Sequence, residues 1–138
     1  MNRWMFKDYV HPNGNNPVRK WYTKELSTQE QANMDALLGI LGRTEIWGLR
    51  DYKPLQGAQK GLGEIRWKGD QRRQLRLIGF FGPAPRQFTL LVGCNHKGTV
   101  YDPANALETA ATLFKRLNQC IGEAREHEIE PDPKAQEE

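Results

Sequence analysis

The chain has 138 residues, of which 38% are hydrophobic and 27% charged, a composition typical of one globular domain. No run approaches the roughly 18 apolar residues that a membrane-spanning helix needs, and the first ten residues, MNRWMFKDYV, lack the apolar core of a secretory signal. The two cysteines, Cys94 and Cys120, lack the spacing of a zinc site or a disulfide framework. We therefore expect a cytoplasmic protein with no membrane partner, no metal and no cofactor.

The net charge of +3 is unevenly distributed along the chain. Residues 122–138 contain seven acidic and two basic side chains, so residues 1–121 carry a charge of +8. We predict a single domain over residues 1–121, followed by an acidic, disordered tail over residues 122–138. The alternative is that the tail folds over the basic surface and imitates nucleic acid.

The first half of the chain predicts a short strand and two helices. Residues 4–10 form an apolar stretch typical of a strand, and a turn rich in Gly, Asn and Pro follows it. Asn16 and Pro17 suit the N-cap and the first position of a helix that ends near Leu26.

The second helix begins at a capping box formed by Ser27 and Glu30. Apolar residues then recur at helical spacing before Gly42, a residue typical of a helix C-cap; they are Met34, Leu37, Leu38 and Leu41. These two helices are expected to form a hairpin with one apolar face.

Three strands follow and form a predicted antiparallel meander. They are LGEIRW (62–67), QLRLIGFF (74–81) and FTLLVGC (88–94), separated by turns rich in Gly and Pro. Asp102 and Pro103 then repeat the N-cap and proline pattern, and a final helix presents an inward stripe of Leu107, Ala110, Ala111, Phe114, Leu117 and Ile121. The predicted fold class is α+β: a small antiparallel sheet packed on one face by the helical hairpin and the C-terminal helix.

Positive charge is concentrated in the middle of the chain. Residues 60–97 contain only two acidic residues and eight basic ones, namely Lys60, Arg66, Lys68, Arg72, Arg73, Arg76, Arg86 and Lys97. Strand alternation places Glu64, Arg66 and Arg76 on the sheet face that helices are expected to leave free. Two readings stay open: the arginines clamp a phosphodiester, or they form ordinary ion pairs with Glu64.

The order of these segments resembles the toxin superfamily of RelE and ParE, and most closely its HigB-like, phage-derived branch. There, a K-x-L-x-G-L-W/Y-E-L-R strand precedes a strand with R-hydrophobic-x-F/Y, an LLHGF-x-K-K strand and a final helix with A-x-x-R. The corresponding segments here are KPLQGAQKGLGEIRW, RLIGFF, FTLLVGCNHKG and YDPANALETAATLFKRL. With the preceding helices, the resemblance covers about residues 16–119.

The resemblance implies a RelE-like fold and, for RelE and HigB members, a metal-free endoribonuclease that cuts mRNA on the ribosome. Glu64 and Arg66 fall on second-strand positions that are basic and catalytic in RelE, and Arg76 falls on the arginine that stabilises the phosphate. The implied catalytic set is completed by His96, Lys97 and Tyr101. The other basic residues, Lys60, Lys68, Arg72, Arg73 and Arg86, are expected to bind RNA.

Cleavage by attack of a ribose 2′-OH on its own phosphate needs a proton acceptor, a proton donor and positive charge. Arg66 and Arg76 suit the charge. Glu64 is a candidate base and His96 titrates nearest to neutrality, while Lys97 and Tyr101 are candidate donors or phosphate ligands.

The implied function is that of the toxin of a type II toxin–antitoxin system, whose partners are a cognate antitoxin protein, mRNA and the ribosome. Two alternatives stay open. One is a ParE-like inhibitor of gyrase. The other is a phage- or prophage-derived protein that binds nucleic acid or protein without cutting, since CNHKGTVYDP replaces the K-K-T-x-K-T-P run of the HigB-like branch.

Overall fold

The computed structural model describes residues 3–128 and has the predicted α+β class. Its elements, in chain order, are β1 (Met5–Val10), α1 (Pro17–Glu25), α2 (Thr28–Gly42), β2 (Tyr52–Pro54), β3 (Gly63–Lys68), β4 (Gln74–Phe81), β5 (Gln87–Lys97), β6 (Val100–Asp102), α3 (Ala106–Asn118) and β7 (Glu123–Glu126). No helix in this part of the chain is long and apolar enough to cross a membrane.

The strands form one sheet of seven, in the order β2-β3-β4-β5-β1-β7, with β6 paired to the last residues of β5. The predicted meander is confirmed as β3-β4-β5 and lies at the centre of this larger sheet. All pairs are antiparallel except β1 with β5, which run parallel. The first strand of the chain therefore lies beside the long central strand, with β7 on its other side.

The helices cover both faces of the sheet, so the prediction that they share one face is wrong. On one face, α1 and α2 enclose a core that includes Ile65, Leu75 and Leu77. On the other face, α3 packs over a second core that includes Ile78 and Leu91. Since alternate residues of a strand point to opposite faces, β1, β4 and β5 contribute apolar side chains to both cores.

Local sequence signals set the starts of α1 and α2. Asn16 Oδ1 accepts a hydrogen bond from the backbone N–H of Arg19 at 3.0 Å, and Ser27 and Glu30 form the reciprocal capping box. Both predicted caps are confirmed. Gly42 is instead the last residue of α2, and the cap is Arg43.

The predicted start of the last helix at Asp102 and Pro103 is wrong. Asp102 is the final residue of β6, and α3 begins at Ala106 after Asn105, which makes no side-chain cap. The inward stripe is largely confirmed, because its members from Leu107 to Leu117 pack in the second core. Ile121 lies beyond the helix and is exposed.

Strand β7 corrects the predicted domain boundary at residue 121. Residues Glu123–Glu126 pair with β1, and the buried His127 that follows places Nδ1 2.7 Å from Asp8 Oδ1. The other Asp8 oxygen accepts a hydrogen bond from the Asn16 side chain at 2.9 Å, so this network ties the end of β7 to the start of α1. The folded domain thus includes His127, while residues 129–138 of the predicted tail lie outside the described residues.

Replacing His127 by alanine is expected to lower the free energy of unfolding by about 2 kcal/mol, since it leaves the buried Asp8 carboxylate with one partner fewer. Glu126→Ala, an exposed change in the same strand, is the matched control. Urea unfolding followed by tryptophan fluorescence measures both. Equal stability of the two variants would contradict a stabilising role for the Asp8–His127 pair.

Candidate active site

Five of the predicted catalytic residues converge on the sheet face that α3 partly covers. Arg66 on β3 pairs directly with Arg76 on β4, and His96 on β5 pairs with Tyr101 on β6. Glu64 precedes Arg66 by two residues, so strand alternation gives both the same face. The prediction that Glu64, Arg66 and Arg76 share a face is confirmed. We call these five residues the reactive cluster: Glu64, Arg66, Arg76, His96 and Tyr101.

Glu64 lies at the centre of the reactive cluster and is only 3% exposed. Its Oε2 accepts a hydrogen bond from the Tyr101 hydroxyl at 2.5 Å. Its Oε1 lies 3.4 Å from Arg66 Nε and 3.7 Å from Arg76 Nε. Strands β4 and β5 lie between β3 and β6 in the sheet. The Tyr101–Glu64 hydrogen bond therefore spans both strands on this face, over Arg76 of β4 and Cys94 of β5.

Arg76 is buried and held in place by its neighbours. One terminal nitrogen donates to the Leu75 carbonyl and the other to Gln74 Oε1, each at 2.9 Å, whereas Nε is buried and makes no hydrogen bond within residues 3–128. Burial lowers the pKa of Arg76, an effect that the Glu64 carboxylate opposes. Two guanidinium groups therefore share one carboxylate, which leaves the reactive cluster positive and able to take a second anion.

His96 lies against Tyr101, with ring centroids 4.8 Å apart in an edge-to-face arrangement. Burial and the nearby Arg76 lower the pKa of His96 below its ordinary value of 6.5. The imidazole is consequently neutral at pH 7 when the site holds no further anion. Its Nδ1 is buried and has no hydrogen-bond partner in the described part of the chain.

Tyr101 is a poor proton donor, and Cys94 is a poor nucleophile. Burial and the hydrogen bond to Glu64 raise the pKa of the Tyr101 phenol well above its ordinary value. Cys94, which pairs with Arg76 in the sheet, is buried, and burial raises its pKa to about 12. Tyr101 thus orients Glu64, and the Cys94 thiol stays protonated.

Lys97 does not belong to the reactive cluster, and its predicted catalytic role is not supported by its position. It follows His96 in the same strand and so points to the opposite face, where Nζ lies 3.3 Å from Asp102 Oδ2. Three-quarters of its side chain is exposed.

The five residues predicted to bind RNA divide into three groups. Arg73 has a structural role, because its partly exposed guanidinium pairs with the buried Glu30 carboxylate at 2.6 Å. Arg86 precedes β5, about 30 Å from His96 at the other end of that strand, and lies over the Trp4 ring at 5.7 Å. Arg73 thus has a partner within the fold and Arg86 lies far from the reactive cluster, and RNA binding by either residue stays a prediction. Lys60, Lys68 and Arg72 are exposed, and Lys68 shares the face of Arg66.

Sequence reasoning missed two residues of this site. Lys53 on β2 pairs with Glu64, and its positive charge contributes to the lowered pKa of His96. Gln74 orients Arg76 and pairs with both Lys68 and His96. A strand of only three residues gives no periodicity from which the position of Lys53 can be read.

The arrangement unites a carboxylate, a neutral imidazole and two guanidinium groups, the set needed for acid–base chemistry at a phosphate. Among residues 3–128, no group of three or more His, Cys, Asp or Glu side chains is placed to hold a metal ion. Comparisons of the chain with family models, with curated proteins and with solved structures found no match.

Proposed function

We propose that the chain is a metal-free endoribonuclease whose active site is the reactive cluster. The observation that carries this proposal is the pair of arginines, Arg66 and Arg76, that share the single carboxylate of Glu64. A phosphate beside the partly exposed Arg66 gives the two guanidinium groups a second anionic partner, and its negative charge balances the excess positive charge.

Each step of the reaction uses a residue already in place. Glu64 takes the proton of a ribose 2′-OH, and the 2′-oxygen attacks the adjacent phosphorus. Arg66 and Arg76 stabilise the charge on the non-bridging oxygens. His96, protonated when the phosphate binds nearby, gives its proton to the 5′-oxygen as the P–O5′ bond breaks. The products are a 2′,3′-cyclic phosphate and a 5′-hydroxyl, with Glu64 protonated and His96 neutral.

We propose further that this activity is that of a RelE-like toxin of a type II toxin–antitoxin system, directed at mRNA on the ribosome and neutralised by a cognate antitoxin. Support comes from the HigB-like order of sequence segments, together with a helical hairpin, an antiparallel β3-β4-β5 meander and a C-terminal helix. The acidic Glu64 in place of a basic RelE residue gives the proposed enzyme a carboxylate base.

The chemistry of the cut ends tests this proposal. In a reconstituted translation reaction, mRNA fragments are expected to end in a 2′,3′-cyclic phosphate, and a message with a 2′-O-methyl group at the cut nucleotide should stay intact there. An uncut message would contradict the proposal. Loss of gyrase supercoiling activity in a parallel assay would then favour the ParE-like alternative.

The pH dependence of cleavage tests the role of His96. Because the general acid must be protonated, kcat/KM is expected to fall on the alkaline side, with a midpoint below the ordinary histidine pKa of 6.5 that reflects the lowered pKa in the free enzyme. His96→Ala should cleave slowly and lack this alkaline limb. A wild-type limb that persists in His96→Ala would assign proton donation to another group.

A further inference from the structure

The reactive cluster is closed on two sides and open on two. Helix α3 packs over Ile78, the residue that pairs with Glu64, and so forms one wall. Strand β6, whose Tyr101 reaches Glu64, forms a second wall. The open sides are the free edge of the sheet at β2 and the end of the sheet at the β3–β4 turn.

Each open side carries an exposed lysine. Lys53 lies on the edge strand β2 opposite Glu64, and Lys68 is the last residue of β3, two positions after Arg66 on the same face. Neither lysine has a carboxylate within 4 Å in the part of the chain that the structure describes. Alternate residues of a strand lie about 7 Å apart and neighbouring strands about 5 Å apart, so both lysines are within side-chain reach of a phosphate next to Arg66.

We propose that Lys53 and Lys68 bind the phosphates on either side of the one held by Arg66 and Arg76, so that single-stranded RNA enters at one lysine and leaves at the other. This inference rests on the proposed function, which identifies the ligand as RNA, and it adds the path that the RNA strand takes across the site. Lysine is a flexible point charge suited to a phosphate that is held but not cut. The smallest complete ligand has three consecutive phosphates.

Binding of a non-cleavable tetranucleotide tests the path. The probe is a fluorescent 2′-O-methyl RNA with three internucleotide phosphates. Its binding is measured by fluorescence anisotropy between 50 and 200 mM salt, a range over which affinity that depends on phosphate contacts changes strongly. Lys53→Ala and Lys68→Ala should each weaken binding and reduce the slope of log K against log salt by about 0.7. Lys24→Ala, an exposed change on α1 and thus over the opposite face, is the matched control and should bind like the wild type.

A methylphosphonate at the first or third linkage removes one flanking charge and assigns each lysine to one phosphate. Each neutral linkage should weaken binding to the wild type. One of the two should have no further effect on binding to Lys53→Ala, and the other should have no further effect on binding to Lys68→Ala. Wild-type affinity and salt slope in both variants would overturn the path. If binding follows the expected pattern but translated mRNA is not cleaved, the proposed path of the RNA strand stands and the proposed nuclease activity is overturned.

Discussion

Replacing Arg76 by alanine is expected to lower the rate of RNA cleavage by about 10³-fold, the largest loss from any single change in the reactive cluster. The guanidinium is held by the Leu75 carbonyl and Gln74, so it needs no reorganisation to meet charge that develops on the phosphate. Primer extension on a translated reporter message measures the effect.

Stability must be measured beside activity, because Arg76 is buried and its loss also leaves Glu64 with fewer partners. Arg76→Lys keeps the charge but not the planar fork, and it should retain more activity than Arg76→Ala. If Arg76→Ala is folded and cleaves at the wild-type rate, the assignment of Arg76 to the active site is wrong.

The largest expected effect on stability comes from Glu30. Its carboxylate is buried at the start of α2, accepts hydrogen bonds from the backbone N–H groups of Ser27 and Asp70, and pairs with Arg73. Replacement by alanine removes all of these contacts and should lower the free energy of unfolding by about 3 kcal/mol. Glu25→Ala, an exposed change on α1, should have a small effect. Similar urea midpoints for the two variants would show that the Glu30–Arg73 pair adds no net stability.

The lowered pKa of the Glu30 carboxylate predicts that the fold loses stability in acid. Burial alone would raise the pKa of Glu30, but its hydrogen bonds from Arg73 and the backbone outweigh burial, and the pKa is lowered from 4.5. A lowered pKa in the folded state stabilises the fold above about pH 4.5, and this contribution is lost as the pH falls through the lower value. The stability difference between wild type and Glu30→Ala should therefore shrink below pH 4.5.

Local patterns predicted the parts of the fold that depend on neighbouring residues. Asn16 and Ser27 marked helix starts because capping is a short-range hydrogen bond, and alternation placed Glu64 and Arg66 on one face because a strand has a period of two. The parallel pairing of β1 with β5 was missed, since it joins residues about 80 positions apart and leaves no local signature. Strand β7 was missed because its sequence, EARE, is as charged as a tail.

In the candidate active site too, contacts between neighbouring segments were predicted and contacts between distant ones were missed. Glu64, Arg66 and Arg76 were found together because they lie on adjacent strands joined by one turn. Lys53 was missed because β2 is too short for a pattern, and the pairing of Arg73 with Glu30 was missed because the two residues are 43 positions apart. Charge counts along a sequence do not distinguish an arginine that pairs within the fold from one that faces a ligand.

The most direct test is primer extension on a reporter mRNA in a reconstituted translation reaction, with the wild-type chain and Arg76→Ala added in parallel. The proposed function predicts cuts that appear only on translated message and are lost in the variant. Intact message with both proteins would contradict the nuclease, and equal cutting by both would place the chemistry outside the reactive cluster.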